Sequence, residues 1–157
     1  MNSDEHRDEP ERLVKVVIDT NGHWSGIASE SLWAAPTDDG YYELRNSPFY
    51  AYGLSWGDVV EALPLGDGAA GQRLRFQSVM RRGGHRTIRV IFADADEVER
   101  TRVLAQLNEL GASHEHATGR LYAIDVMPDA SYDDVTHALG EWESQGLLGW
   151  ELGSDQV

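Results

Sequence analysis

The sequence contains no cysteine. Disulfides, thiolate metal sites and cysteine nucleophiles are therefore excluded. No apolar run approaches the ~18 residues that a spanning helix needs, so membrane insertion is not expected. Basic residues are few: Lys and Arg number 13 against 27 Asp and Glu, for a net charge of −14. That balance opposes nucleic acid as a partner. Neither G-x-S-x-G nor H-E-x-x-H occurs. Gly66-Asp67-Gly68-Ala69-Ala70-Gly71 resembles a phosphate loop only in glycine content. It lacks a G-K-[ST] ending and a following helix, so it reads as a flexible loop. Residues 1–12 show no signal-peptide pattern and carry five acids without apolar periodicity. They read as a disordered tail, and a cytoplasmic address is the expectation.

What remains is an ordinary globular composition, 41% hydrophobic and 25% charged over 157 residues. A chain of this size can bury one sizeable core. Its charge is polarised. Residues 13–92 carry eight acids and eight bases, whereas residues 93–157 carry fourteen acids and three bases. Gly68 to Phe92 holds no acid but six arginines: Arg73, Arg75, Arg81, Arg82, Arg86 and Arg89. These arginines could face acids of the other half or form an anion site. The acidic half could instead receive a basic partner.

Two periodicities divide the chain. From Leu13 to Arg86, six or seven short extended runs alternate with turn signals. They cover Leu13–Ile18, Glu30–Pro36, Tyr41–Arg45, Phe49–Tyr52, Val59–Leu63 and Arg73–Met80, and they predict a small barrel or bent sheet. Arg73, Arg75 and Gln77 should share one strand face, and Leu74, Phe76 and Met80 the other. After Phe92 the spacing becomes helical. Asp94 with Glu97 resembles a capping box before Val103, Leu104 and Leu107. Ser131 with Asp134 starts a second helix carrying Val135, Ala138, Leu139 and Trp142. With strands at Thr87–Phe92, Ala112–Ala117, Leu121–Met127 and Leu147–Leu152, the order is β-α-β-β-α-β, the ferredoxin-like pattern. The predicted fold is α+β. It comprises a tail over 1–12, a β-rich half over 13–86, a ferredoxin-like half over 87–153 and a short tail over 154–157.

No complete catalytic set is visible. His85, at a Gly-Gly hairpin tip, is the ring best placed to act as a base, with Asp58 and Glu30 as carboxylate candidates. Asp58, following Gly57, also fits a turn whose carboxylate accepts local N–H groups. His114 and His116 share a strand face, but two ligands do not make a metal site; no metal and no cofactor is expected. Seven aromatics fall between Trp33 and Trp56, more than a small barrel can enclose. Trp33, Tyr50 and Trp56, with Arg89, are candidates for ligand binding. Glu97, Glu99, Glu109, Asp133, Asp134, Glu141 and Glu143 should crowd the outer face of the two helices and suit a basic protein or peptide.

Four strings in order are more specific. They are Glu30-Ser31-Leu32-Trp33-Ala34, then Asn46-Ser47-Pro48-Phe49, then Ser55-Trp56-Gly57-Asp58-Val59-Val60, then Gly84-His85-Arg86-Thr87. Together, over about residues 14–152, the chain resembles a bacterial family described only as a domain of unknown function. Its members are small stand-alone proteins, common in actinobacteria and myxobacteria. The chain departs from the family at Gly83 and Arg86, where serines are usual, so a chemical role for a turn serine could not operate here. The resemblance implies no activity. The reading that follows is a non-enzymatic cytoplasmic binding or regulatory protein. The alternatives are an immunity-type protein masking a basic toxin with its acidic half, and a small hydrolase using a histidine–carboxylate pair.

Overall fold

The β-branched run near the start forms β1 (Val14–Asp19), followed by β2 (Ser29–Pro36), β3 (Tyr42–Leu44), β4 (Val59–Pro64) and β5 (Arg73–Arg81). The computed structural model describes residues 11–21, 25–66 and 73–157. The predicted tail over 1–12 and the loop over 66–71 lie mostly outside them. β1 to β5 pair antiparallel in sequence order and close into a barrel. Five up-and-down strands leave the first and last running the same way, so the closing pair must be parallel. It is also short: Lys15 with Arg73, Val16 with Leu74, Val17 with Arg75. Alternate residues point inward. Val16, Ile18, Leu32, Ala34, Leu44, Val60 and Leu74 fill the interior.

Three expectations need correction here. Phe49–Tyr52 is not a strand but a bent segment. In β5 the alternation breaks, because Ala62 and Glu61 face Phe76 and Ser78, and Val60 and Val59 face Val79 and Arg81. Gln77 and Met80 are the extra residues of two bulges, so Val79 turns inward where Met80 was expected, and Met80 is exposed. The cap of the first helix is Asp96, whose side chain accepts the Glu99 N–H at 2.8 Å. Asp94 pairs instead with Arg120.

The second half runs β6 (Arg86–Phe92), α1 (Glu97–Glu109), β7 (Ala112–His116), β8 (Leu121–Val126), α2 (Tyr132–Ser144) and β9 (Leu148–Ser154). The sheet order is β7-β8-β6-β9 with every neighbour antiparallel. Each β-α-β unit is therefore split by an intervening strand. Ser131 caps α2 through the Asp134 N–H, as its spacing predicts. Both helices cover one face of the sheet. Ile88, Val90, Phe92, Ile124 and Val126 pack there against Val103, Leu107, Val135, Leu139 and Trp142. Each such buried aliphatic contributes about 1.5–3 kcal/mol. The molecule is thus α+β, a closed barrel followed by a two-helix sheet. Among the described residues no helix is long and apolar enough to cross a membrane.

Candidate functional site

The opposite face of the sheet is polar. Period-two alternation sends Thr87 and Arg89 of β6, Asp125 of β8, Glu115 of β7 and Glu151 of β9 away from the helices. Thr87, Arg89, Glu115 and Glu151 meet the segment 46–58 of the barrel half, and Asp125 meets His85. Thr87 donates to the Leu54 carbonyl at 3.0 Å and the Ser55 hydroxyl at 2.8 Å. Arg89 is 2% exposed. It donates Nε to Glu151 at 2.9 Å and Nη1 to the Ala51 carbonyl at 2.7 Å. Tyr52 covers the guanidinium at 4.5 Å and donates its hydroxyl to Glu151. Gly153 leaves room for this group, since a Cβ there would lie 3.0 Å from Arg89 Nη1.

The four strings that carry the family resemblance all end at this joint. Glu30 accepts the N–H groups of Phe49, Tyr50 and Ala51 at 2.6, 3.1 and 2.9 Å. Asn46 accepts the Trp33 N–H. Asp58 accepts from Ser55 N and Gly83 N at 3.0 and 3.1 Å, and pairs with Arg82. Gly83 sits so close to Gly57 that a Cβ on it would meet the Gly57 carbonyl at 2.5 Å. Only glycine fits there. His85 Nδ1 lies 2.8 Å from Asp125.

Burial pushes three carboxyls of the joint above their ordinary range. At Asp58 the Gly83 and Ser55 N–H groups and Arg82 pull the other way. At Asp125 His85 does so. Glu115 is raised by burial and further by Asp125 and Glu30, against the Ser47 N–H that it accepts.

The predicted catalytic trio is not one cluster. His85 takes Asp125 as its partner, whereas Asp58 and Glu30 hold separate backbone turns. The missed carboxylate had a signal: Asp125 is a lone acid inside the apolar strand Leu121–Val126. His114 and His116 both contact the Tyr122 ring, and His116 Nε2 meets the Gly119 carbonyl at 2.8 Å. No group of three metal-capable side chains occurs among the described residues. Trp33 is exposed on the barrel wall under Lys15, and Trp56 is half-buried. Glu97, Glu109, Asp133, Asp134, Glu141 and Glu143 are exposed on the helices, Glu99 partly so, and Glu141 pairs with His137.

A cleft of about 800 Å³ opens beside the joint, where β1 and β5 part beyond the Val17–Arg75 pair. Ile18, Phe76 and Val79 reach it from the barrel, and Tyr50 and Tyr52 from the opposing segment. Tyr50 is the predicted ligand-binding aromatic that lines it; Arg89 lies behind Tyr52.

One solved structure resembles the whole chain: a hypothetical protein from Neisseria gonorrhoeae, with a TM-score of 0.73 at 18% identity over 94% of this chain and 96% of that one. At that identity the likeness is one of fold. A search of curated proteins found no match. The family described as a domain of unknown function, DUF4265, matches residues 30–150, a stretch that contains all four strings converging on the joint, and the chain belongs to that family.

Proposed function

We propose that the protein is a non-enzymatic binding or regulatory protein, acting in the cytoplasm, whose ligand seats in the cleft between β1, β5 and the 50–54 segment. One observation carries this reading. The ionisable groups of the joint are engaged in internal hydrogen bonds, while Tyr50, Tyr52 and Phe76 line an open cleft of ligand size. A fragment library screened by amide chemical shifts tests it. Shifts should concentrate on residues 17–21, 50–54 and 75–79 and vanish in Phe76→Ala. Shifts scattered over the surface would sink the reading.

The hydrolase alternative gains a partner in the 2.8 Å His85–Asp125 contact. It needs a nucleophile or activated water at the other ring nitrogen. Turnover of nitrophenyl esters lost in both His85→Ala and Asp125→Asn would favour it over binding alone.

A further inference from the structure

β5 is paired unequally along its two edges. Toward β4 it is paired from Leu74 to Arg81, interrupted only by the two bulges. Toward β1 it is bonded only at Arg73–Arg75. From Phe76 to Met80 that edge has no strand beside it among the described residues. β1 is held to the far side, since Asp19 pairs with Ser29 and the Thr20 N–H and hydroxyl go to the Ala28 and Ile27 carbonyls. The facing segment gives β5 no backbone bonds either. Ala51 N and O go to Glu30 and Arg89, Gly53 N and O to Gly153 and Arg82, and Leu54 O to Thr87. An open strand edge therefore runs along an apolar cleft, the geometry into which an extended peptide adds as a strand.

The charge around the gap selects the peptide. Pairing aligns Lys15 with Arg73 and Val17 with Arg75 on the outer wall. None of these three cations is in an ion pair with a described acid: Lys15 lies over Trp33, and Arg73 reaches the Ser31 hydroxyl. Among the described residues, this is a locally positive strip in a chain of net charge −14. Asp19 is the one acid among the described residues that line the cleft, and its Oδ1 accepts the Asn21 N–H.

We propose that the split in the barrel wall receives an extended acidic segment of another protein. It adds to β5 at Phe76–Met80, sets an apolar side chain among Ile18, Tyr50 and Phe76, and places carboxylates against Arg75, Arg73 and Lys15. This rests on the cleft reading above and names its ligand class.

The probe is a synthetic library of eight-residue peptides, with Glu fixed at alternate positions and apolar residues varied between them. Affinity is read by fluorescence anisotropy and the site by hydrogen exchange of the β5 amides. The best acidic peptides should bind about tenfold or more tighter than their Lys counterparts, a difference of ~1.4 kcal/mol. Binding should slow exchange within residues 76–80. It should weaken about tenfold in the Arg73→Glu, Arg75→Glu double variant. N-methylation of one alternate set of peptide amides should abolish it, and of the other set should not. Equal tolerance of both methylated sets, equal binding of the Lys library, tighter binding of an oligothymidine, or no peptide binding each overturns the proposal. Fragments that still occupy the cleft in that event leave the binding reading standing; fragments absent as well remove both.

Discussion

The joint and the cleft share one segment and differ in how its polar groups are used. Backbone atoms of residues 50–54 turn toward the joint and meet Glu30, Arg82, Thr87, Arg89 and Gly153. Tyr50 and Tyr52 also line the cleft, and the Tyr52 side chain serves both regions, since its ring lies over Arg89 and its hydroxyl donates to Glu151. Among the described residues of the joint, only Ser47 Oγ and Arg89 Nη2 are buried side-chain atoms without a hydrogen-bond partner. Beside the cleft, among the described residues, the β5 edge beyond Arg75 has no neighbouring strand and Lys15, Arg73 and Arg75 have no ion pair. The difference teaches that hydrogen-bonding groups concentrated in one place do not by themselves mark a functional site. Buried polar groups must be bonded, and a joint between two half-domains satisfies that requirement with the same residue types that an active site uses.

The largest expected effect separates two arginines. Arg89→Met removes a buried guanidinium and leaves the buried Ala51 carbonyl without its donor, while the partly exposed Glu151 keeps the Tyr52 hydroxyl. Leaving such a buried acceptor unpaired costs about 1–3 kcal/mol. Arg75→Met, on the exposed wall, should stay within about 0.5 kcal/mol. Urea denaturation of both variants checks the contrast. Similar midpoints for the two would erase the distinction between a paired joint and an open wall.

The second expected effect is a pH dependence confined to the joint. Burial raises the Glu115 carboxyl above its ordinary value of 4.5. A folded-state value above the unfolded one means that the folded state holds the proton more tightly. The stability from that proton is full below the unfolded value and is lost as pH rises through the folded one. Glu115→Gln keeps an acceptor for the Ser47 N–H and removes the titration. The variant should melt no higher than the wild type at pH 4 and increasingly higher as pH approaches neutrality. Asp58 titrates in both proteins, so the difference reports Glu115 together with its coupling to Asp125. A melting gap that does not change with pH would mean that the Glu115 carboxyl is solvated.

The parts of the molecule legible in the sequence are those that rest on local periodicity. Val103, Leu104 and Leu107, and Val135, Leu139 and Trp142, place both helices and the sheet face beneath them. The bulges of β5 were not legible, because they depend on how β4 lies opposite. The joint was legible in its residues but not in its pairings. Glu30 and Asp58 stand out as acids in extended surroundings, and the local bond of Asp58 to the Ser55 N–H follows from its turn, yet the other groups that they bind are 19 to 25 residues away. His85 and Asp125 are 40 apart. Asp96 displaced Asp94 as the helix cap because both residue types cap well, and only the path of the chain after β6 chooses between them.

The smallest expected effect concerns the helical face, the other open region. Exposed acids there are not equivalent. Glu97, Glu99, Asp133 and Asp134 lie in first turns, where the helix dipole favours them. Glu109, Glu141 and Glu143 lie toward the C-terminal ends, where it does not, and neither helix has a basic residue in its last turn. Only His137 pairs with one of them. Repulsion within this face should therefore be screened by salt, and the melting temperature should climb between 20 mM and 500 mM NaCl as the Debye length falls below ~10 Å. Glu109→Lys and Glu143→Lys should each raise it at low salt by about 0.3–1 kcal/mol in stability, while Glu97→Lys should lower it. Joint contacts, shielded from solvent, should contribute little to the salt slope. A melting temperature that falls with salt would mean that attraction, not repulsion, governs these acids. The exposed helical face would then be paired internally like the joint, with no charge left over for a basic partner.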